Sequence, residues 1–222
     1  MAEEERSVQV YLDGLTPHLS EELWLFRLTG EKGNVPIIKR EAERLLTAVL
    51  RLKKPCRILE IGTAIGYSAS FFATLLPEAR VTTIEKDPDM YKAAVRNIEI
   101  MKLSDRIEIL FGDGREQTEM MKERGDGPFD MIFLDAAKSH YKRFLESALD
   151  MAEDGALIIS DNIMQHGMTA NEPELPSRKH RTNVLKMREF LAFITEDPRF
   201  STSLLECGDG LAISIYKKHE QD

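Results

Sequence analysis

Apolar residues recur along this chain first at helical spacing and then in short runs, and the change between the two patterns maps its elements. Between Ser7 and Leu15 they fall at Val8, Tyr11, Leu12 and Leu15, a helical stripe. Ser20-Glu21-Glu22 supplies a cap and an acidic first turn for a second helix through Leu28, which Gly30 and Gly33 are expected to break. Ile37 to Leu52 makes a third helix, with Ile38, Ala42, Leu45, Leu46, Val49 and Leu52 expected on one face and Pro55 stopping it. Residues 1–54 therefore read as an N-terminal helical cap without visible chemistry, suited to packing over a sheet edge or to contact with a second copy.

From Arg57 onward strands and helices alternate. Strands are expected at Ile58–Ile61, Arg80–Glu85, Arg106–Phe111, Phe129–Leu134 and Ala156–Ser160. The helices between them run from Tyr67 to Leu76, Pro88 to about Leu103, Glu116 to Lys122 and Tyr141 to Met151. This alternation predicts a parallel, doubly wound sheet. The carboxyl end departs from it. After a polar stretch from Gln165 to His180, an amphipathic helix runs to about Thr195. Phe200–Glu206 and Leu211–Tyr216 then pair as a hairpin across Cys207-Gly208-Asp209-Gly210. The expectation is one α/β domain over residues 1–222, its Rossmann-like sheet of seven strands closed by an antiparallel hairpin.

Ligands of such a sheet bind outside the carboxyl ends of its strands, and polar residues gather there. Glu60 lies inside an apolar strand, and Gly62 and Gly66 follow it before a helix N-terminus. That turn suits a ligand approaching the backbone closely, but its G-x-x-x-G spacing is not the dinucleotide fingerprint G-x-G-x-x-G. Glu85, about two dozen residues beyond Gly62, is placed to accept from two ribose hydroxyls. Asp113, within G-D-G, could take an adenine amino group or only cap the next helix. Asp135, Asp161 and Asn162 are hard oxygen donors, suited to Mg²⁺ or Ca²⁺ and not to zinc. Three such ligands leave about half of an octahedral shell open to water and substrate.

Composition narrows the class. Over 222 residues, 42% hydrophobic and 31% charged content is that of a soluble globular protein. A net charge of −8 argues against indiscriminate nucleic-acid binding while allowing a local basic patch. The acidic start Met1-Ala2-Glu3-Glu4-Glu5 is neither a secretory signal nor a transit peptide, and no apolar run approaches the roughly 18 residues of a membrane helix. Cys56 and Cys207 lie far apart without metal-ligand spacing, as reduced thiols in a cytoplasm would.

L-E-I-G-T-x-x-G-Y-S, the acid at Glu85, D-A-A-K at Asp135 to Lys138, and S-D-N at Ser160 to Asn162 together resemble the metal-dependent class I S-adenosylmethionine O-methyltransferases of the catechol and caffeoyl-CoA type. The resemblance covers almost the whole chain, including the terminal G-D-G-L-A-I-S. It implies that Glu60, Gly62 and Ser68 hold the methionine portion of S-adenosylmethionine, Glu85 the ribose and Asp113 the adenine neighbourhood. Ile38 would offer backbone contacts. Asp135, Asp161 and Asn162 would take Mg²⁺, with Asp135 also near the cofactor. Members of the family are commonly homodimers, and the N-terminal helices are the expected contact. Methyl transfer from a sulfonium is an in-line displacement that a metal-lowered hydroxyl pKa assists. Lys138 can serve as base if the metal depresses its own pKa; otherwise it is a lysine balancing the acids. Tyr141 and His140 read as packing or surface residues.

Two adjacent open metal positions select substrates with two neighbouring oxygens, such as catechols or the O4 and O5 of 5-hydroxyuridine. Residues 164–188 are expected to form a lid over the metal, and from Ser177 to Arg188 they carry five Lys/Arg and no acid. A basic first turn opposes the helix dipole, so Arg178, Lys179 and Arg181 are candidates for phosphate binding, with pairing to the acidic rim as the alternative. R-T-N-V-L-K-M-R-E-F with this lid resembles the bacterial branch that methylates 5-hydroxyuridine at the tRNA wobble position, giving 5-methoxyuridine, and implies the tRNA anticodon region as partner. Plant-type relatives grip coenzyme A phosphates with basic residues, and the lid shows no aromatic platform for base stacking. A small-molecule catechol or acyl-CoA acceptor is therefore the rival reading, and a non-methylating nucleotide-binding module or dehydrogenase a second.

Overall fold

The computed structural model describes residues 2–170 and 178–218, with side chains from 8 to 170 and 180 to 218. Seven strands form one sheet in the order β3-β2-β1-β4-β5-β7-β6. They are β1 (Arg57–Ile61), β2 (Arg80–Glu85), β3 (Ile107–Phe111), β4 (Phe129–Leu134), β5 (Ala152–Asp161), β6 (Phe200–Leu205) and β7 (Leu211–Tyr216). The first five run parallel, and β7 is antiparallel to both β5 and β6. Among the described residues eight helices flank them: α1 (Ala2–Leu15), α2 (Glu21–Lys32), α3 (Arg40–Lys53), α4 (Tyr67–Leu75), α5 (Pro88–Ile100), α6 (Gly114–Arg124), α7 (Tyr141–Leu149) and α8 (Arg178–Glu196). A short 3₁₀ turn, Lys138–His140, precedes α7.

Alternation along the strands divides the core in two, because successive side chains leave opposite faces. Ile58, Met131, Phe133, Leu157 and Ile159 join one apolar cluster with residues of α3, α4 and α5. Leu59, Ile61, Ile132, Leu134 and Ile158 join the other with residues of α6, α7 and α8. Both faces of the sheet are therefore covered, as its near-continuous apolar strands require.

Helices α2 and α3 are part of this core, whereas the apolar stripe expected on α1, at Val8, Tyr11, Leu12 and Leu15, is exposed. Leu23, Ile38, Ala42, Leu46 and Leu50 all belong to the first cluster. Leu50 takes the place expected of Leu52, which is 86% exposed. Ile38 lies in the extended segment before α3, not inside the helix. Gly30 does not break α2: it is buried within it, and a Cβ there would meet Ile65 Cδ1 at 3.2 Å and Ile37 Cδ1 at 3.3 Å. Gly33 is the cap that ends the helix.

β5 begins four residues before the expected Ala156 and spans Glu153-Asp154-Gly155. Gly155, at φ +75°, accommodates an irregularity where the β4–β5 register shifts between Phe129 and Met131. Among the described residues no helix is long and apolar enough to cross a membrane.

Candidate active site

Strand order reverses between β1 and β4, which places a crevice at the carboxyl ends of these two strands. The chain enters it through the turn after β1. Gly62 sits at φ +107° and Gly66, the cap of α4, at φ +87°. Gly62 is required by packing as well as by conformation, since a Cβ would lie 2.2 Å from the Asp135 carbonyl oxygen.

Glu60 is fully buried beneath this turn and accepts from Thr83 Oγ1 at 2.5 Å, while its Oε1 has no partner among the described residues. Burial pushes its carboxyl up to about 7 against the lowering effect of the neighbouring Ser68 and Thr83 hydroxyls. Glu85 braces the same turn from β2. It accepts from Ala64 N at 2.8 Å, Lys86 N at 2.9 Å and Asp87 N at 2.8 Å. Asp113 caps α6 through Arg115 N at 3.0 Å and faces Arg143 at 3.3 Å. Helix capping, one of its two sequence readings, is thus realised.

Asp135, Asp161 and Asn162 converge at the ends of β4 and β5. The Lys138 ammonium lies among them, donating to Asp135 Oδ1 and Asn162 Oδ1, each at 2.9 Å. Tyr141, buried at the start of α7, accepts from Lys138 at 2.7 Å and donates to the Asp161 carbonyl at 2.9 Å. Expected as packing or surface, it does pack, but its hydroxyl also ties the lysine to β5. Burial would lower the Lys138 pKa, but Tyr141 and Asp135 outweigh it and hold the group above the ordinary lysine value. Asp161 is pushed upward, first by burial and then by Asp135. One of its oxygens accepts from Asn162 N at 2.7 Å; Oδ2 is buried with no partner among the described residues. An orphaned carboxylate oxygen beside a second carboxylate and an amide oxygen fits the donor set of a hard dication. Asn162 itself sits at φ +54°, a left-handed conformation for a non-glycine residue at a site end.

A cleft of about 750 Å³ opens over these groups, walled by Ile38, Asp135, Lys138 and Asn162 among the expected residues. Arg27, Gln165, His166, His180 and Asp209 also line it. None of the five was singled out from sequence as a site residue. Gln165 and His166 follow Asn162 at φ +48° and +57°, and His166 N donates to Asp209 Oδ1 at 2.6 Å, so the β6–β7 loop holds the segment after β5. Of the basic lid residues, Arg181 is exposed on α8; Ser177 and the side chains of Arg178 and Lys179 lie outside the described residues.

The O-methyltransferase family profile matches residues 17–217. The chain belongs to that family. A catechol O-methyltransferase from Niastella koreensis is 31% identical over 219 residues, covering 95% of this chain and 97% of its own. A caffeoyl-CoA O-methyltransferase from Populus kitakamiensis is 33% identical over 177 residues, covering 77% and 74%. The structure of an O-methyltransferase from Bacillus cereus in complex with SAH superposes with a TM-score of 0.81 at 28% identity, covering 94% of this chain and 96% of that one. The enzyme is thus an S-adenosylmethionine-dependent O-methyltransferase of the catechol and caffeoyl-CoA type.

Proposed function

We propose that this methyltransferase is Mg²⁺-dependent and acts on a hydroxyl beside a second oxygen, with 5-hydroxyuridine at the tRNA wobble position as its acceptor. The observation that carries the metal is the buried, unpartnered Oδ2 of Asp161, next to the site-end oxygens of Asp135 and Asn162. Held there, the metal supplies a lowered pKa for a neighbouring hydroxyl. Glu60, Gly62, Ser68, Glu85 and Asp113 are proposed to hold the cofactor from the β1–α4 side, with Ile38 opposite and Asp135 between cofactor and acceptor. In-line transfer needs the acceptor oxygen about 3 Å from the methyl carbon, and Asp135, fixed by Lys138, belongs to both halves of that geometry. Lys138 acts as a base only after losing its proton, because in the arrangement seen it is an ammonium shared by Asp135, Asn162 and Tyr141.

The tRNA reading is supported by the position of α8. His180, in its first turn, is part of the cleft wall, and Arg178, Lys179 and Arg181 are its neighbours along the chain. His166 and His180 add aromatic rings to that wall, and imidazoles can stack on an unpaired base. The names of the two relatives favour a second reading, a small catechol or acyl-CoA acceptor. Replacing Arg178, Lys179 and Arg181 with alanine separates the two. The tRNA reading expects weaker tRNA binding with a shallower salt dependence, by up to about one charge per residue, and unchanged turnover of a catechol. Unaltered tRNA binding overturns it. A homodimer contact is proposed at α1, where Val10, Tyr11 and Leu15 are exposed, and a cytoplasmic location accompanies the tRNA reading.

A further inference from the structure

Four charged residues are buried among the described residues: Glu60, Glu85, Asp161 and Arg27. The first three stand at the carboxyl ends of strands, where the ligands bind. Arg27 is the only cation of the four, 3% exposed in the middle of α2, on a helix whose sequence showed no chemistry. A buried guanidinium is tolerated only when paired and hydrogen-bonded, so its role is to be read from its partners.

One partner, Glu31, is on α2 itself, and the others lie on α3, on α4 and in the segment before α3. Nε donates to the Tyr67 hydroxyl at 3.0 Å, and Nη2 to the Ile38 carbonyl at 3.1 Å and to the Glu43 carboxylate. Nη1 reaches Glu31 at 3.2 Å. Tyr67 in turn donates to Glu43 at 2.7 Å, and the guanidinium carbon lies 4.6 Å from the centre of the Tyr67 ring. Tyr67 is the first residue of α4, directly after Gly66 of the turn. Ile38 belongs to the extended segment that walls the cleft before α3. One planar fork therefore spans the gap between the cleft wall and the helix terminus that follows the glycine turn. Its five donors in fixed geometry suit that task in a way a lysine cannot match.

We infer that Arg27 is a positioning residue for the methyl donor, fixing the Ile38 segment at a set separation from the amino end of α4 and so setting affinity for S-adenosylmethionine without touching the reacting atoms. The inference rests on family membership and on the donor lying at the β1–α4 turn. It is independent of the acceptor and metal proposed above, and a failure of that proposal leaves it standing.

Two variants test it by calorimetric titration with S-adenosylhomocysteine, without metal or acceptor, at a temperature well below unfolding. Arg27→Lys keeps the charge and loses the fork; Tyr67→Phe removes one hydroxyl and keeps the ring packing. Charged hydrogen bonds of this kind are worth enough to weaken binding about tenfold in Arg27→Lys, with a smaller loss in Tyr67→Phe. The double variant is expected to bind no worse than Arg27→Lys, because both act through one bonded unit. If the folded variants bind S-adenosylhomocysteine as the parent does while their thermal midpoints fall, Arg27 serves only to anchor α2, and the inference is overturned.

Discussion

The Gly62 Cα and the Asp135 carbonyl stand so close that a Cβ on the glycine would lie 2.2 Å from that oxygen. The two residues follow the neighbouring strands β1 and β4, and Asp135 N donates to Ile61 O at 3.0 Å just before the turn. Gly62→Ala must separate the strand ends or abandon φ +107°. It is expected to destabilise the protein by about 3 kcal/mol. The urea midpoint measures this, and an unchanged midpoint would show that the strand ends yield freely.

Glu60 makes stability depend on pH. Its folded pKa, raised to about 7 by burial, exceeds its unfolded value, so the native state binds more protons across the interval between them. Stability is therefore full below the unfolded pKa and is lost as pH rises toward 7, at up to about 1.4 kcal/mol per pH unit for this group. Glu60→Gln should flatten that slope between pH 4.5 and 7 in chemical denaturation series. A slope identical to the parent's would mean the carboxyl titrates normally.

Asp161 opposes a buried carboxylate to Asp135, and both burial and that charge raise its pKa. Metal-free Asp161→Asn should accordingly be more stable than the parent at pH 8, by roughly 1 kcal/mol, and lack activity. Thermal melts with and without Mg²⁺ check both halves. The parent is expected to gain stability on adding the metal, and the variant to gain none.

Strand positions were legible where apolar runs were bounded by turn residues. The expected limits Arg80–Glu85, Phe129–Leu134 and Leu211–Tyr216 are those observed, and the first strand, expected from Ile58, begins at Arg57. Helix faces were less so: the α3 stripe is equally regular through Leu50 or Leu52, and only the sheet beneath decides which is covered. The strand-end acids could be read because a carboxylate in an apolar strand is anomalous by itself. Arg27 in L-W-L-F-R-L is anomalous in the same way, a cation on an apolar stretch, and that signal could have singled it out. His166 and Asp209 carry no such mark, since they reach the cleft through loop conformations that residue order does not specify, and His180 reaches it only through where the first turn of α8 packs.

The most direct test is nucleoside mass spectrometry of tRNA incubated with enzyme, isotopically labelled S-adenosylmethionine and Mg²⁺. The tRNA should come from cells lacking 5-methoxyuridine, so that free 5-hydroxyuridine is present. Labelled methyl in 5-methoxyuridine, abolished by EDTA and by Asp161→Ala, is the predicted result. Label that persists under EDTA, or that reaches a catechol and never the tRNA, would contradict the account.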